Sequence, residues 1–215
     1  MTARAKWWKG AIFWSACFVL AGPALAAPPA PSYESMVAAL RAGDTNTDYQ
    51  ALRHAYAASA GYDPYGMKLQ TLLPGMLDAF GKKDCKTALA DAGKIGAIDY
   101  TEINAHLVAA MCLEDMGDKT ESIRQHEIFL GLVDSILKSG DGYAPKTAYR
   151  VVTLDEEYTL LTILKLESHG QALIQNDGHS YDRFEVSTDD TKEQGTIFFE
   201  IDPIFGLLQH ELNTP

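Results

Sequence analysis

The hydrophobic period of this chain changes at Gly140, and that change restricts the fold more than any other feature. Before it, apolar residues recur at helical spacing: Cys85, Ala88, Leu89, Ala92 and Ile95 in one stretch, then Ile103, Leu107, Ala110 and Met111 in the next. A third stripe runs Ile123, His126, Leu130, Val133, Leu137, with Phe129 and Ile136 beside it, and is expected to face a core. After Gly140 come TAYRVVT, QALIQ, YDRFEVS and GTIFFEI, short β-branched and aromatic runs in which apolar and polar residues alternate. Asn176-Asp177-Gly178 is a hairpin turn signal between two of them. Helices first and strands afterwards give an α+β fold. The expectation is a helical half packed on a mainly antiparallel sheet of about four strands, with one helix, DEEYTLLTILKL, inserted.

The junction between the halves reads as punctuation. A helix ending at Lys138 requires a left-handed residue just beyond it, which Gly140 supplies, and Asp141-Gly142 forms the following turn. Thr153 and Glu156 have capping-box spacing, and the acids 155–157 favour the positive end of the next helix. Seven residues of strand, roughly 23 Å, separate Asp141 from Glu156, so the two are not expected to share a cation.

The first 26 residues have the form of a signal peptide. A basic stretch, MTARAKWWKG, precedes about a dozen apolar residues and an A-x-A pair at Ala24 and Ala26, which places cleavage after Ala26. Cys17 lies inside the apolar run, with Trp14 where a lipobox needs leucine, so it is not expected to carry lipid. Residues 27–32, APPAPS, form a Pro/Ala leader, and 33–215 one domain of about 189 residues with the leader included, helical over 33–140 and sheet-rich over 141–205. No later stretch is long and apolar enough to span a bilayer, so the mature protein is expected in the periplasm or outside the cell.

Loss of Arg4, Lys6 and Lys9 with the leader would leave 15 of the 18 basic residues against 29 acidic ones, a net charge of −14. Nucleic acid and anionic lipid both require clustered Lys and Arg, and this chain has no such cluster. In an oxidising compartment the two remaining cysteines are candidates for a disulfide. Cys85 and Cys112 are equidistant from the middle of GAIDY, the short link between their two helices, so a helical hairpin brings them level. A bridge between them is worth roughly 3 kcal/mol.

Several further helices are legible: YESMVAALRAG after Ser32, TNTDYQALRHAYAAS with Thr47 and Gln50 in capping-box spacing, and MKLQTLLPGMLDAFGK broken or restarted at Pro74. AHLVAAMCLEDMGDKTESIRQHEIF resembles the paired helices of tetratricopeptide (TPR) repeats, without a second copy at a 34-residue period. The order DYQALRHAY, YDPYG, the His106 and His126 helix pair, GLVDSILKSGDG, TAYRV and DEEY resembles an uncharacterised family of exported bacterial proteins, a domain of unknown function of the 4919 type. That resemblance implies one domain with TPR-like helices followed by a small sheet. It implies no activity and supplies no catalytic residue.

Candidate sites are few. Asp44, Asn46 and Asp48 open like an EF-hand loop, but Tyr49 stands where glycine is required and Ala55 where a bidentate glutamate is required, so helix capping explains them. Tyr62, Asp63 and Tyr65 sit on a loop stiffened by Pro64, either as a recognition element or as a turn packed on a helix. If the helices meet at Gly117-Asp118, His106 and His126 are offset by three residues, roughly 4.5 Å of rise. With Glu102 one turn before His106, the three offer zinc two imidazoles and a carboxylate. The plainer reading makes His126 a core histidine and leaves the protein with no cofactor.

Two functions follow. The favoured one is a non-enzymatic module of the cell envelope that binds a protein or peptide on its helices or on a sheet edge. The alternative is a metal-assisted hydrolase using Glu102, His106 and His126; carriage of a small ligand between helices and sheet is a third class that no motif marks.

Overall fold

Side-chain caps set where most of the helices begin. The computed structural model describes residues 31–188 and 190–213, of which 208–213 are described in backbone only. The expected signal peptide, its expected cleavage point and Cys17 lie outside those residues. Ser32 accepts from Ser35 N to start α1 (Tyr33–Arg41), and Asp48 accepts from Ala51 N to start α2 (Tyr49–Ala57). The α2 cap is therefore Asp48, not the expected Thr47: its carboxylate reaches the free amides of the first turn one residue later. Pro74 does not break its helix but lies in the first turn of α3 (Leu72–Gly81), where a missing N–H costs nothing. Asp84, Glu102 and Asp118 cap α4 (Cys85–Ile98), α5 (Ile103–Asp115) and α6 (Lys119–Leu137).

The sheet half begins with β1 (Tyr149–Arg150), much shorter than the strand expected over TAYRVVT. Val151 and Val152 are both buried, which ends the alternation a longer strand would need. Thr153 caps α7 (Leu154–Ile163) as expected, and then come β2 (Leu166–Asn176), β3 (His179–Thr188) and β4 (Gln194–Glu200). Asp177 and Gly178, with φ of 51° and 85°, make the tight turn between β2 and β3. The sheet order is β1-β4-β3-β2, antiparallel except for the β1–β4 pair. A final helix, α8 (Asp202–Asn213), occupies a segment in which no helix was expected.

Two apolar clusters hold these elements. In the larger, Leu40, Leu52, Ile128, Leu132, Ile136 and Leu160 meet Phe184 and Phe199 from the inner face of the sheet. The smaller packs Met76, Ala88, Ile95 and Ala109 around Cys112, which is disulfide-bonded to Cys85 with Cα atoms 5.1 Å apart. The described residues from Pro31 onward form one compact unit, and no helix among them is long and apolar enough to cross a membrane.

Two expectations about faces and turns are overturned. Ile123 and Leu130 are 60% and 50% exposed, because α6 turns Ile128, Leu132 and Ile136 inward and leaves the other apolar edge outside. Helix α6 ends without a left-handed residue: its cap, Lys138, is right-handed, Gly140 has no positive φ, and Gly142, with φ of 72°, belongs to the loop beyond. Gly140 is required for a different reason: a Cβ there would lie 2.3 Å from the Thr147 carbonyl oxygen.

Candidate functional site

The residues flagged from sequence fall into a buried polar junction, a buried histidine and an exposed face. The junction forms where the loop 62–65 meets the start of α7. Tyr62 Oη donates to Val152 O at 2.6 Å, Pro64 O accepts from Leu154 N, and Tyr65 Oη donates to Ile204 O at 3.3 Å. Asp63 Oδ2 accepts from Lys68 N, closing the loop on itself. The loop is thus a clamp on residues 152–154.

Beneath the clamp, Arg53 of α2 donates from Nε and Nη2 to the two oxygens of Glu156 at 2.6 and 2.7 Å. Its remaining donors reach Ser135 Oγ and Arg150 O, and Val152 N donates to Glu156 Oε2. Arg53 therefore ties α2, α6, β1 and α7 together. Both partners are almost fully enclosed, so no substrate reaches this pair.

Further acids crowd the same region with fewer partners. Asp99 accepts from Thr101 N and Oγ1, yet burial pushes its pKa up to about 6. Glu102 caps α5 through Asn104 N, and burial, then the nearby Asp99 and Asp155, raise it to about 8. Glu157 is completely buried and neither carboxylate oxygen has a hydrogen-bond partner; burial, then Asp182 and Glu156, push it up to about 9. Glu102 and Glu157 are accordingly protonated at neutral pH.

The two histidines have opposite environments. His106 is buried, with Nε2 2.8 Å from Tyr100 O and Nδ1 2.6 Å from Gln125 Oε1. Burial lowers its pKa, so a neutral ring has one proton to share between two oxygen acceptors. His126, expected in the core, is exposed and stacks on Phe129 at 6.0 Å. It lines a groove of about 530 Å³ between α5 and α6 with Leu107, Met111 and Ile123. Glu102, His106 and His126 are not gathered at one point. Among the described residues, the group whose ligand atoms lie within 4.8 Å of one another is His179, Glu200 and Asp202.

A second groove, of about 600 Å³, runs across α4, α5 and α6 over Ala92, Gly96, Ala105 and Ala109. Its two arginines are already engaged. Arg41 donates to Gly96 O and lies 5.1 Å over the Tyr100 ring, while Arg124 donates to Leu40 O and Arg41 O and pairs with Glu121. They fasten α1 to the helices behind it.

Sequence reasoning missed Arg53, Asp99 and Glu157. A signal was present: Arg53 sits between Leu52 and Tyr56 on the inward face of α2, and Glu156 and Glu157 lie one turn before the buried Leu160 and Leu161. Charges at core positions call for one another.

The family described as Domain of unknown function (DUF4919) matches residues 33–210. No curated protein matches the chain, and no solved structure does.

Proposed function

We propose that this chain, which belongs to the DUF4919 family, is an exported binding protein that takes an amphipathic helix of a partner protein on the outer face of α5 and α6. The observation that carries this is the exposure of Met111, Ile123 and Leu130 along that face, with Met116 at the turn between the helices, at 46, 60, 50 and 62%. Large apolar side chains left outside on two adjacent helices of a folded chain mark an interaction surface. Methionines adapt to a partner's side chains, and the groove between two helices suits apolar anchors spaced three or four residues apart. Glu114 and Lys119 both line the groove, so its apolar side chains rather than a net charge would select the partner. The resemblance of this stretch of sequence to a tetratricopeptide helix pair agrees with such a role. Export rests on the basic and apolar leader with its A-x-A pair and on the Cys85–Cys112 bridge.

The test is a photo-crosslinking residue at position 126, used in cell envelopes with and without Ile123→Glu or Leu130→Glu. One crosslinked partner lost in both variants, with circular dichroism unchanged, is the expected result. A crosslink that survives both substitutions, or a product that is a second copy of this chain, overturns the reading.

A further inference from the structure

We propose that His179, Glu200 and Asp202 form a binding site for one divalent transition-metal ion of the zinc type. The three residues come from the start of β3, the end of β4 and the start of α8, and their ligand atoms lie within 4.8 Å of one another. Three elements converge because β3 and β4 pair in register up to Tyr181 and Glu200, and the chain then turns at Ile201, whose N–H donates to Ser180 O. That turn returns Asp202 to the first residues of β3.

The side chains are held in place before any cation arrives. Asp202 Oδ1 accepts from Ser180 N at 2.7 Å, and its Oδ2 lies 2.5 Å from His179 Nδ1. That contact fixes the imidazole beside the carboxylate, and a cation binding there would displace the proton the two atoms share. Glu200 is the most enclosed of the three acids and bases, and Arg150 Nε reaches its Oε2 at 3.2 Å.

The donor set selects the ion. One imidazole with two carboxylates suits zinc and its neighbours, whereas magnesium and calcium favour all-oxygen shells. Three protein ligands also leave a position open, and a cleft of about 360 Å³ lies alongside, lined by His54, Arg150, Val151 and Pro203 together with Glu200 and Asp202. A cation on Glu200 would take over the charge that Arg150 now balances. The Arg150 side chain is 54% exposed, so it is free to turn toward the cleft and hold a carboxylate or phosphate oxygen there. This site is separate from the α5–α6 face and does not depend on the function proposed for it.

Purified protein without a histidine tag, stripped with EDTA and dialysed, would be titrated with zinc chloride by calorimetry in the presence of millimolar magnesium. The expected result is one saturable equivalent, with affinity at least tenfold weaker in His179→Ala and in Asp202→Asn and unchanged in His126→Ala. Zinc should also raise the melting temperature of the parent protein but not of His179→Ala. Asp202→Asn retains an oxygen acceptor for Ser180 N, and circular dichroism of the metal-free variants checks that they fold. No saturable equivalent, equal binding by His179→Ala, or an equal loss in His126→Ala overturns the proposal.

Discussion

Arg53 and Glu156, 103 positions apart in the chain, meet in a two-pronged ion pair sealed from solvent. Removing either partner leaves the other charge buried alone, so Arg53→Met or Glu156→Gln should each cost about 3–5 kcal/mol. The double variant Arg53→Met with Glu156→Gln should be less damaged than the sum of the two, because no charge is then orphaned. Urea unfolding of the four proteins measures both; single substitutions within 1 kcal/mol of the parent, on the order of ordinary surface changes, would show that the pair is not the tie described.

Glu157 gives stability a definite slope with pH. Its folded pKa of about 9 lies above the ordinary value of 4.5, so between those values the folded chain holds a proton that the unfolded chain has lost. The stability is full below pH 4.5 and declines as pH rises toward 9. Glu102, raised to about 8, and Asp99, raised to about 6, add to the slope in the same direction. Glu157→Met removes both orphaned oxygens and should stabilise the protein by about 1–3 kcal/mol at pH 7, with a shallower loss of melting temperature between pH 5 and 9. A variant whose pH profile superimposes on the parent's would contradict this.

Gly131 lies inside α6, where alanine is ordinarily the better helix former by about 1 kcal/mol. Here a Cβ would come within 2.2 Å of the Tyr49 ring of α2. Tyr49 is held by its hydroxyl bond to Thr45 O. Gly131→Ala should therefore destabilise, by about 1–3 kcal/mol as overpacking does, and adding Tyr49→Ala should reverse the sign. Thermal melts of the two variants decide it, and a single variant more stable than the parent would refute the close contact.

Much of the candidate chemistry was legible only in part. Cys85 and Cys112 were readable as a pair because both lie on one local hairpin, where spacing from a short link fixes the level of each residue. Thr153 was readable as a cap because capping acts within one turn. Asp48 in place of Thr47 shows the limit of such local signals: neighbouring residues can serve the same end, and which one does depends on where the chain is pulled next. His126, expected in the core, is exposed because helical period alone cannot tell which of two apolar edges of α6 meets the core.

The sequence by itself determined the order of helices and strands as far as Glu200, the α+β class, the hairpin turn at Asp177-Gly178 and the disulfide, all of which depend on residues near one another along the chain. Only the tertiary structure decided that Arg53 meets Glu156, that Glu157 is left without a partner, that Ile123 and Leu130 remain outside, and that His179, Glu200 and Asp202 converge. Those outcomes depend on contacts between elements brought together by packing, and packing is set by which faces the whole set of helices and strands can bury at once.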